Sequence, residues 1–220
     1  MARQLELRAR RLASGERPVG WKVGFGAPAA LERFALSGPL VAFLTDATVL
    51  QHGQSVSISE WTRPVAEPEI AVHIGRDLPG GAEEDRIRGS ITALGAAIEL
   101  ADVHTEPEDV EEILADGIYH RGLALGPPDK ERAGGRLQGL TACVTIGGNE
   151  MAATAELEAL TGPLIDTVGY VASYLADAGT VLASGDVVIM GSVVPPIPIM
   201  PGQEFVYELA PMPPLSLTFA

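Results

Sequence analysis

The chain has almost no cysteine. Its single thiol, Cys143, excludes a disulfide framework and any cysteine-based zinc site, and it fits a reducing compartment. Lysine is nearly as scarce: of 15 basic residues only Lys22 and Lys130 are lysines. Positive charge is short overall, because 29 acidic residues leave a net charge of -14. That balance excludes a nucleic-acid or anionic-membrane surface, since both need clustered Lys and Arg. No apolar run reaches ~18 residues, so no transmembrane helix is expected. The segment Met1 to Leu12 is charged throughout and lacks an apolar core followed by a cleavage site. No signal peptide is expected there, which favours the cytoplasm. There is no repeat, no low-complexity tract and no Gly-x-Ser-x-Gly elbow for serine catalysis. No glycine-rich phosphate loop sits in a strand-to-helix context.

What remains is a chain of 220 residues, 46% hydrophobic and 20% charged. It is long enough to bury a core without staples and too apolar to be a disordered acidic tail. A mean hydropathy of +0.20 implies exposed apolar area that a second copy would cover, so a homo-oligomer is expected. Helices are expected at Ala2–Ser14, Glu83–Gly89, Glu106–Asp116 and, most clearly, Leu164–Ala178, with a helical turn at 28–35. Short strands are expected at Val19–Phe25, Leu40–Leu44, Thr48–Leu50, Leu123–Leu125, Leu140–Ile146, Asp186–Met190, Glu204–Leu209 and Leu215–Phe219. A long strand is expected at Pro64–Ile74. The run 92–102 suits helix or buried strand, with strand favoured after Leu94. Many short strands, 25 glycines and 17 prolines indicate a β-rich α+β fold rather than a Rossmann fold or a TIM barrel. A boundary near Gly53 would set a small N-terminal region before the main β body.

The chemistry concentrates in Pro64-Val65-Ala66-Glu67-Pro68-Glu69-Ile70-Ala71. Residues two apart in a strand point to one side, about 6.6 Å apart, so Glu67 and Glu69 share a face. Held that close they repel, unless solvent screens them, one is protonated, or a cation lies between. Oxygen donors of this kind suit Mg²⁺, Mn²⁺ or Ca²⁺ rather than zinc. From this motif alone the simpler reading is an edge strand with a wet outer face, Pro68 marking the edge. Glu99 strengthens the metal reading. It is flanked by Ala97, Ile98, Leu100 and Ala101, and a carboxylate there is costly unless paired with an arginine or bound to a metal. Glu67, Glu69 and Glu99 together could occupy three positions of an octahedral ion and leave the rest open to water or substrate. His73 shares the face of Glu67 and Glu69 but lies about 13 Å beyond Glu69 along an extended strand, which makes it a poor ligand. His52, His104 and His120 show no ligand spacing; His104 follows Glu99 and Asp102 closely and can approach the site. Cys143, in an apolar strand, reads as an inert core residue. Keeping Lys22 in an arginine-rich chain hints at a need for a compact ammonium.

Gly20-Trp21-Lys22-Val23-Gly24, the Glu67–Glu69 strand, Ala97-Ile98-Glu99-Leu100-Ala101-Asp102 and Leu182-Ala183-Ser184-Gly185-Asp186-Val187-Val188-Ile189-Met190-Gly191-Ser192 resemble, in order and spacing, the fumarylacetoacetate hydrolase superfamily. The resemblance spans 19–205 and is nearest to the 2-keto-4-pentenoate hydratase and 4-oxalocrotonate decarboxylase branch. It implies a mixed β-sheet roll with flanking helices, with a catalytic domain at 53–220 after a small α/β region at 1–52. It also implies homo-oligomers and a role in aromatic-compound catabolism. By resemblance Glu67, Glu69 and Glu99 hold Mg²⁺ or Mn²⁺, Lys22 lies beside a small 2-oxo acid substrate, and Asp46 falls near the active site. Ser192 matches a branch serine, and His104 stands where an arginine often follows the third ligand. The chain departs from the branch at Asp116-Gly117-Ile118-Tyr119-His120-Arg121, where Asp-Asn-Ala-Ser-Ser-Gly is usual, and at Val194, where threonine is usual.

The implied reaction is hydration of a 2-hydroxy-2,4-dienoate to a 4-hydroxy-2-oxo acid. Lys22 would bind the substrate carboxylate or shuttle a proton, and Asp46 would handle the proton of the added water. The same site suits decarboxylation of a 2-oxo diacid or acylpyruvate-type C–C hydrolysis. The hydrolases rely on an N-terminal histidine, and this chain has none before His52. A non-catalytic metal-binding relative is a further alternative.

Overall fold

The computed structural model describes residues 2–106 and 108–220. The elements in chain order are α1 (Ala2–Ala13), β1 (Pro18–Gly24), α2 (Pro28–Arg33), β2 (Leu40–Thr45), β3 (Val49–Leu50), β4 (Ser55–Val56), β5 (Pro64–Ile74), α3 (Glu84–Ser90), β6 (Ile91–Asp102), α4 (Val110–Ala115), β7 (His120–Leu125), β8 (Thr141–Ile146), β9 (Asn149–Thr154), α5 (Leu164–Asp177), β10 (Val187–Ser192), β11 (Ile197–Pro198), β12 (Glu204–Ala210) and β13 (Leu215–Phe219). The ambiguous run from Thr92 is strand from end to end. Its residues are almost all buried, and one face of β6 alone cannot account for that; sheet faces on both sides can. The helix expected over Glu106–Asp116 starts only at Val110, where the Asp109 side chain accepts from the Glu111 N–H; Pro107 within that range lies outside the described residues.

Two mixed sheets form. The larger runs β2-β1-β10-β5-β6-β7-β3 with β11 beside β5, and the smaller runs β4-β13-β12-β8-β9. β1 is parallel to β10 and β3 to β7, while β5, β6 and β7 are antiparallel neighbours. The fold is the mixed β roll with few flanking helices. No sheet boundary falls at Gly53: β1, β2 and β3 lie in the sheet that holds β5, β6 and β10.

Strand alternation sorts the large sheet into two faces. Ile70, Val72, Ala96, Ile98 and Val188 join Phe205, Tyr207 and the buried stripe Leu164–Val168–Val171–Leu175 of α5 in the main core. The intervening residues Ala71, Ala97, Leu123 and Ile189 form a second, smaller cluster with Leu44. The carboxylates belong to this second phase. Gly20, at φ 150°, lets β1 close on β10; a Cβ there would sit 1.9 Å from the Val187 carbonyl oxygen. Cys143 lies half-buried on β8 beside Glu150 rather than in the core, because β8 pairs with the exposed strand β9.

Candidate metal centre

β5 and β6 are the longest strands, and their register sets Glu67 directly opposite Glu99 and Glu69 opposite Ala97. Period two then places all three carboxylates on one face. One oxygen from each lies within 4.8 Å of the other two. Glu69 and Glu99 are wholly buried and Glu67 is half-buried. The strand that carries the pair is central, between β10 and β6, so Pro68 does not mark an edge. Pro68 is tolerated there because β10 breaks register between Ile189 and Ser192, beside it.

The surrounding donors satisfy only part of this cluster. Lys22 on β1 donates from Nζ to Glu99 Oε1 and, at 3.1 Å, to the carbonyl of Ile118. His120, at the start of β7, places Nδ1 2.8 Å from the same Glu99 oxygen. A carboxylate on Nδ1 calls for a proton there, and Nε2 lies 2.9 Å from the Thr48 hydroxyl oxygen. The N–H of Gly191 donates to Glu69 Oε2 at 2.7 Å. Glu69 Oε1 and Glu99 Oε2 are buried with no donor among the described residues. Three carboxylates thus share one ammonium and one imidazole, both of them on Glu99. An oxygen-only donor set with two undonated buried oxygens fits a hard dication.

The protonation pattern has the same origin. Burial, then the negative charge of Glu99, pushes Glu67 up to about 7. Burial raises Glu69 as well, with Glu99 and Glu67 adding to it. Burial acts on Glu99 too, but Lys22 and the His120 hydrogen bond outweigh it and hold Glu99 below its ordinary value.

Lys22 and Glu67 stand in the wall of a cavity of about 450 Å³. Ser192 lines it too, its hydroxyl donating to the Pro68 carbonyl at 3.4 Å. Tyr119 and Ile118 close another side; both have left-handed backbone, φ 60° and 57°, directly after Gly117 at 66°. That conformation turns the Ile118 carbonyl to Lys22 while the Ile118 side chain packs on Gly24, where a Cβ would come within 2.8 Å of Cγ2. The second glycine of the Gly20–Gly24 motif therefore makes room for Ile118. His104 does not line the cavity. It stands behind Tyr119, ring centroids 5.7 Å apart, and meets Arg121 at 3.2 Å. Asp46 does not line it either; it begins a 3₁₀ turn after β2 and is held by Arg17 at 2.8 Å, which keeps its carboxyl below the usual range. His73 is outside the carboxylate cluster. Sequence reasoning did not single out His120, the Ile118 carbonyl or the Gly191 N–H. The one signal available for the first two was the departure from the branch pattern at 116–121.

No family model matches the chain. Among curated relatives, the 2-hydroxyhexa-2,4-dienoate hydratase of Comamonas testosteroni is 26% identical over 215 residues, covering 95% of this chain and 81% of the relative. The 2-keto-4-pentenoate hydratase of Burkholderia vietnamiensis is 28% identical over 86% of this chain and 73% of its own length. The 4-oxalocrotonate decarboxylase from Pseudomonas putida G7, solved with magnesium and adipate, superposes with TM-score 0.89 at 24% identity, covering 99% of this chain and 83% of that one. The carboxylate strand pair, the roll around it and these likenesses agree: the chain is similar in sequence to 2-keto-4-pentenoate hydratases and a 4-oxalocrotonate decarboxylase, and its fold is that of the fumarylacetoacetate hydrolase family proteins.

Proposed function

We propose that the protein is a divalent-metal-dependent hydro-lyase that adds water to a 2-hydroxy-2,4-dienoate and releases a 4-hydroxy-2-oxo acid. The observation that carries this reading is the convergence of Glu67, Glu69 and Glu99 beside Lys22, with Glu67 and Lys22 in the wall of a cavity. Glu67, Glu69 and Glu99 would hold Mg²⁺ or Mn²⁺, which supplies Lewis-acid polarisation of a 2-oxo oxygen when bound. Lys22 has three N–H donors. Glu99 and Ile118 take two, and the third is left for a substrate carboxylate in the cavity that Lys22 lines. His120 and Lys22 fix Glu99 through Oε1, so that Oε2 is the oxygen free to bind. Ser192 offers a hydroxyl at the cavity wall, and Ile118 and Tyr119 exclude water from one side. His104 stands behind Tyr119 and is given no direct substrate contact. Asp46 is given no step, since Arg17 holds it away from the cavity wall.

With a chain charge of -14, long-range steering of an anionic substrate is unfavourable, so attraction must be local. No helix is long and apolar enough to cross a membrane. The reading is of a cytoplasmic homo-oligomer. Met151 and Met200, 54% and 61% exposed, support the need for a partner copy, and a clean monomer in light scattering would count against it.

The test is turnover of 2-hydroxypenta-2,4-dienoate with and without Mg²⁺. Activity that survives Glu69→Ala would overturn the metal-site reading. A decarboxylase reading is favoured by the likeness to the Pseudomonas putida enzyme; CO₂ release from 2-oxohex-3-enedioate without dienoate hydration would put it first.

A further inference from the structure

The left-handed turn at Gly117, Ile118 and Tyr119 divides its neighbourhood between two cavities. Ile118 and Tyr119 line the one beside Lys22. Asp116, His120 and Arg121 line another, of about 280 Å³, which Leu7 and Arg11 of α1 and Phe43 of β2 help to close. The two linings share no residue. A volume just under the usual ~300–1,000 Å³ of small-molecule sites suits a small ligand.

The charge of this wall is opposite to that of the chain. The protein carries -14, yet here two arginines meet one acid, Asp116. Arg121 is already paired. Its Nη2 donates to Asp116 Oδ2 at 3.2 Å and its Nη1 to the His120 carbonyl at 2.9 Å. Arg11 is not. Its ion pair with Glu16 Oε2 is 3.9 Å long, beyond hydrogen-bond reach, and that oxygen already accepts from the Thr45 hydroxyl. The Arg11 guanidinium lies 5.8 Å from the Phe43 ring centroid, a cation–π distance that holds it at the wall. One net positive charge with unused N–H groups thus stands beside the apolar side chains of Leu7 and Phe43. A carboxylate matches the planar fork of a guanidinium, and an apolar body behind it would cover those side chains. A dianion would gain less, because Asp116 repels the second charge.

We propose that this second cavity binds a small organic monocarboxylate with an apolar body, held by the Arg11 guanidinium against Leu7 and Phe43. The site is separate from the one that Lys22 and Glu67 line and does not rest on the hydratase reading.

Benzoate is the probe. In crystals of the Mg²⁺-loaded protein soaked with 4-bromobenzoate, the bromine anomalous signal should lie between α1 and Asp116–Arg121. In calorimetric titration of the same protein with benzoate, Arg11→Gln should weaken binding by about tenfold or more, the effect of losing a charge-assisted pair, and Arg11→Lys should recover part of it. Neutral benzamide and inorganic phosphate should both bind the parent more weakly than benzoate. Mg²⁺ affinity should stay level in both variants, which shows that the fold is intact. Bromine found only at the carboxylate cluster, or benzoate affinity unchanged in Arg11→Gln, overturns the proposal. So does a bromine signal with no heat in solution, which is binding at crystal concentration only. Tighter binding of phosphate overturns the ligand class, and Mg²⁺ affinity lost together with benzoate binding would make Arg11 a structural residue.

Discussion

His120 Nδ1 lies 2.8 Å from Glu99 Oε1, the oxygen that Lys22 also binds, and the second oxygen of Glu99 is left without a donor. The two donors hold the carboxylate at one oxygen, beside Glu67 and Glu69, and leave the other free to bind a cation. An imidazole that orients a ligand in this way typically changes metal affinity by ~10–100-fold when removed. His120→Ala should weaken Mg²⁺ binding to that extent in a calorimetric titration, and His120→Asn, which restores one donor, should recover part of it. Unchanged Mg²⁺ affinity in His120→Ala would show that Lys22 alone positions Glu99.

Lys22 is a cation beside a cation site. Lys22→Met keeps the length of the side chain and removes its charge, so three carboxylates would face no ammonium. Turnover should be lost, while Mg²⁺ affinity stays level or rises, because a repulsive charge has gone. Without metal the variant should be less stable than the parent by about 3–5 kcal/mol, the usual cost of stranding one member of a buried pair. Loss of Mg²⁺ binding together with turnover would make Lys22 a structural residue.

Acid titration of the metal-free protein should run opposite to that of a salt-bridged carboxylate. The folded protein holds the Glu67 proton up to about 7, whereas the unfolded chain releases it near 4.5. Between these values the native state binds more protons, so stability falls as pH rises, by no more than roughly 3 kcal/mol from Glu67. Glu69 is raised and acts in the same direction. Glu99 is lowered; its contribution is complete above the unfolded value and is lost only in stronger acid. The thermal midpoint without metal should therefore drop between pH 5 and about 7. Added Mg²⁺ should restore it most at the upper end, where the ligands are ionised. Glu67→Gln should flatten the slope; a midpoint that climbs with pH in metal-free buffer would contradict the arrangement.

Gly24 and Ile118 should show strong coupling in a double-mutant cycle. A Cβ at Gly24 would stand 2.8 Å from Ile118 Cγ2, so Gly24→Ala should cost about 1–3 kcal/mol in chemical denaturation. Ile118→Ala removes the clashing methyl, and the double variant should be more stable than the sum of the single changes predicts. Strict additivity would mean that the strained turn yields without moving the Ile118 carbonyl from Lys22.

Much of this centre is legible before folding. Glu67 and Glu69 share a face because a strand has period two, and Glu99 stands out because it is a carboxylate inside an apolar run. Both are local properties of residue type and order, as are the strands themselves and the Leu164–Asp177 helix. Other features depend on pairings between distant segments. The register that sets Glu67 opposite Glu99 joins β5 to β6, and the parallel pairing of β1 with β10 brings Lys22 to them. His120 has no ligand spacing in the chain and gains its part only through Glu99 and Thr48. The Ile118 carbonyl and Gly191 N–H are groups that every such residue owns, so no sequence pattern marks the two that reach Lys22 and Glu69. Asp46 shows the converse: a carboxylate placed near the site by resemblance is held outside the cavity wall by Arg17. Residue type by itself determined which groups can bind a hard cation; only tertiary pairing decided which of them converge, because side-chain chemistry is local and strand register is not.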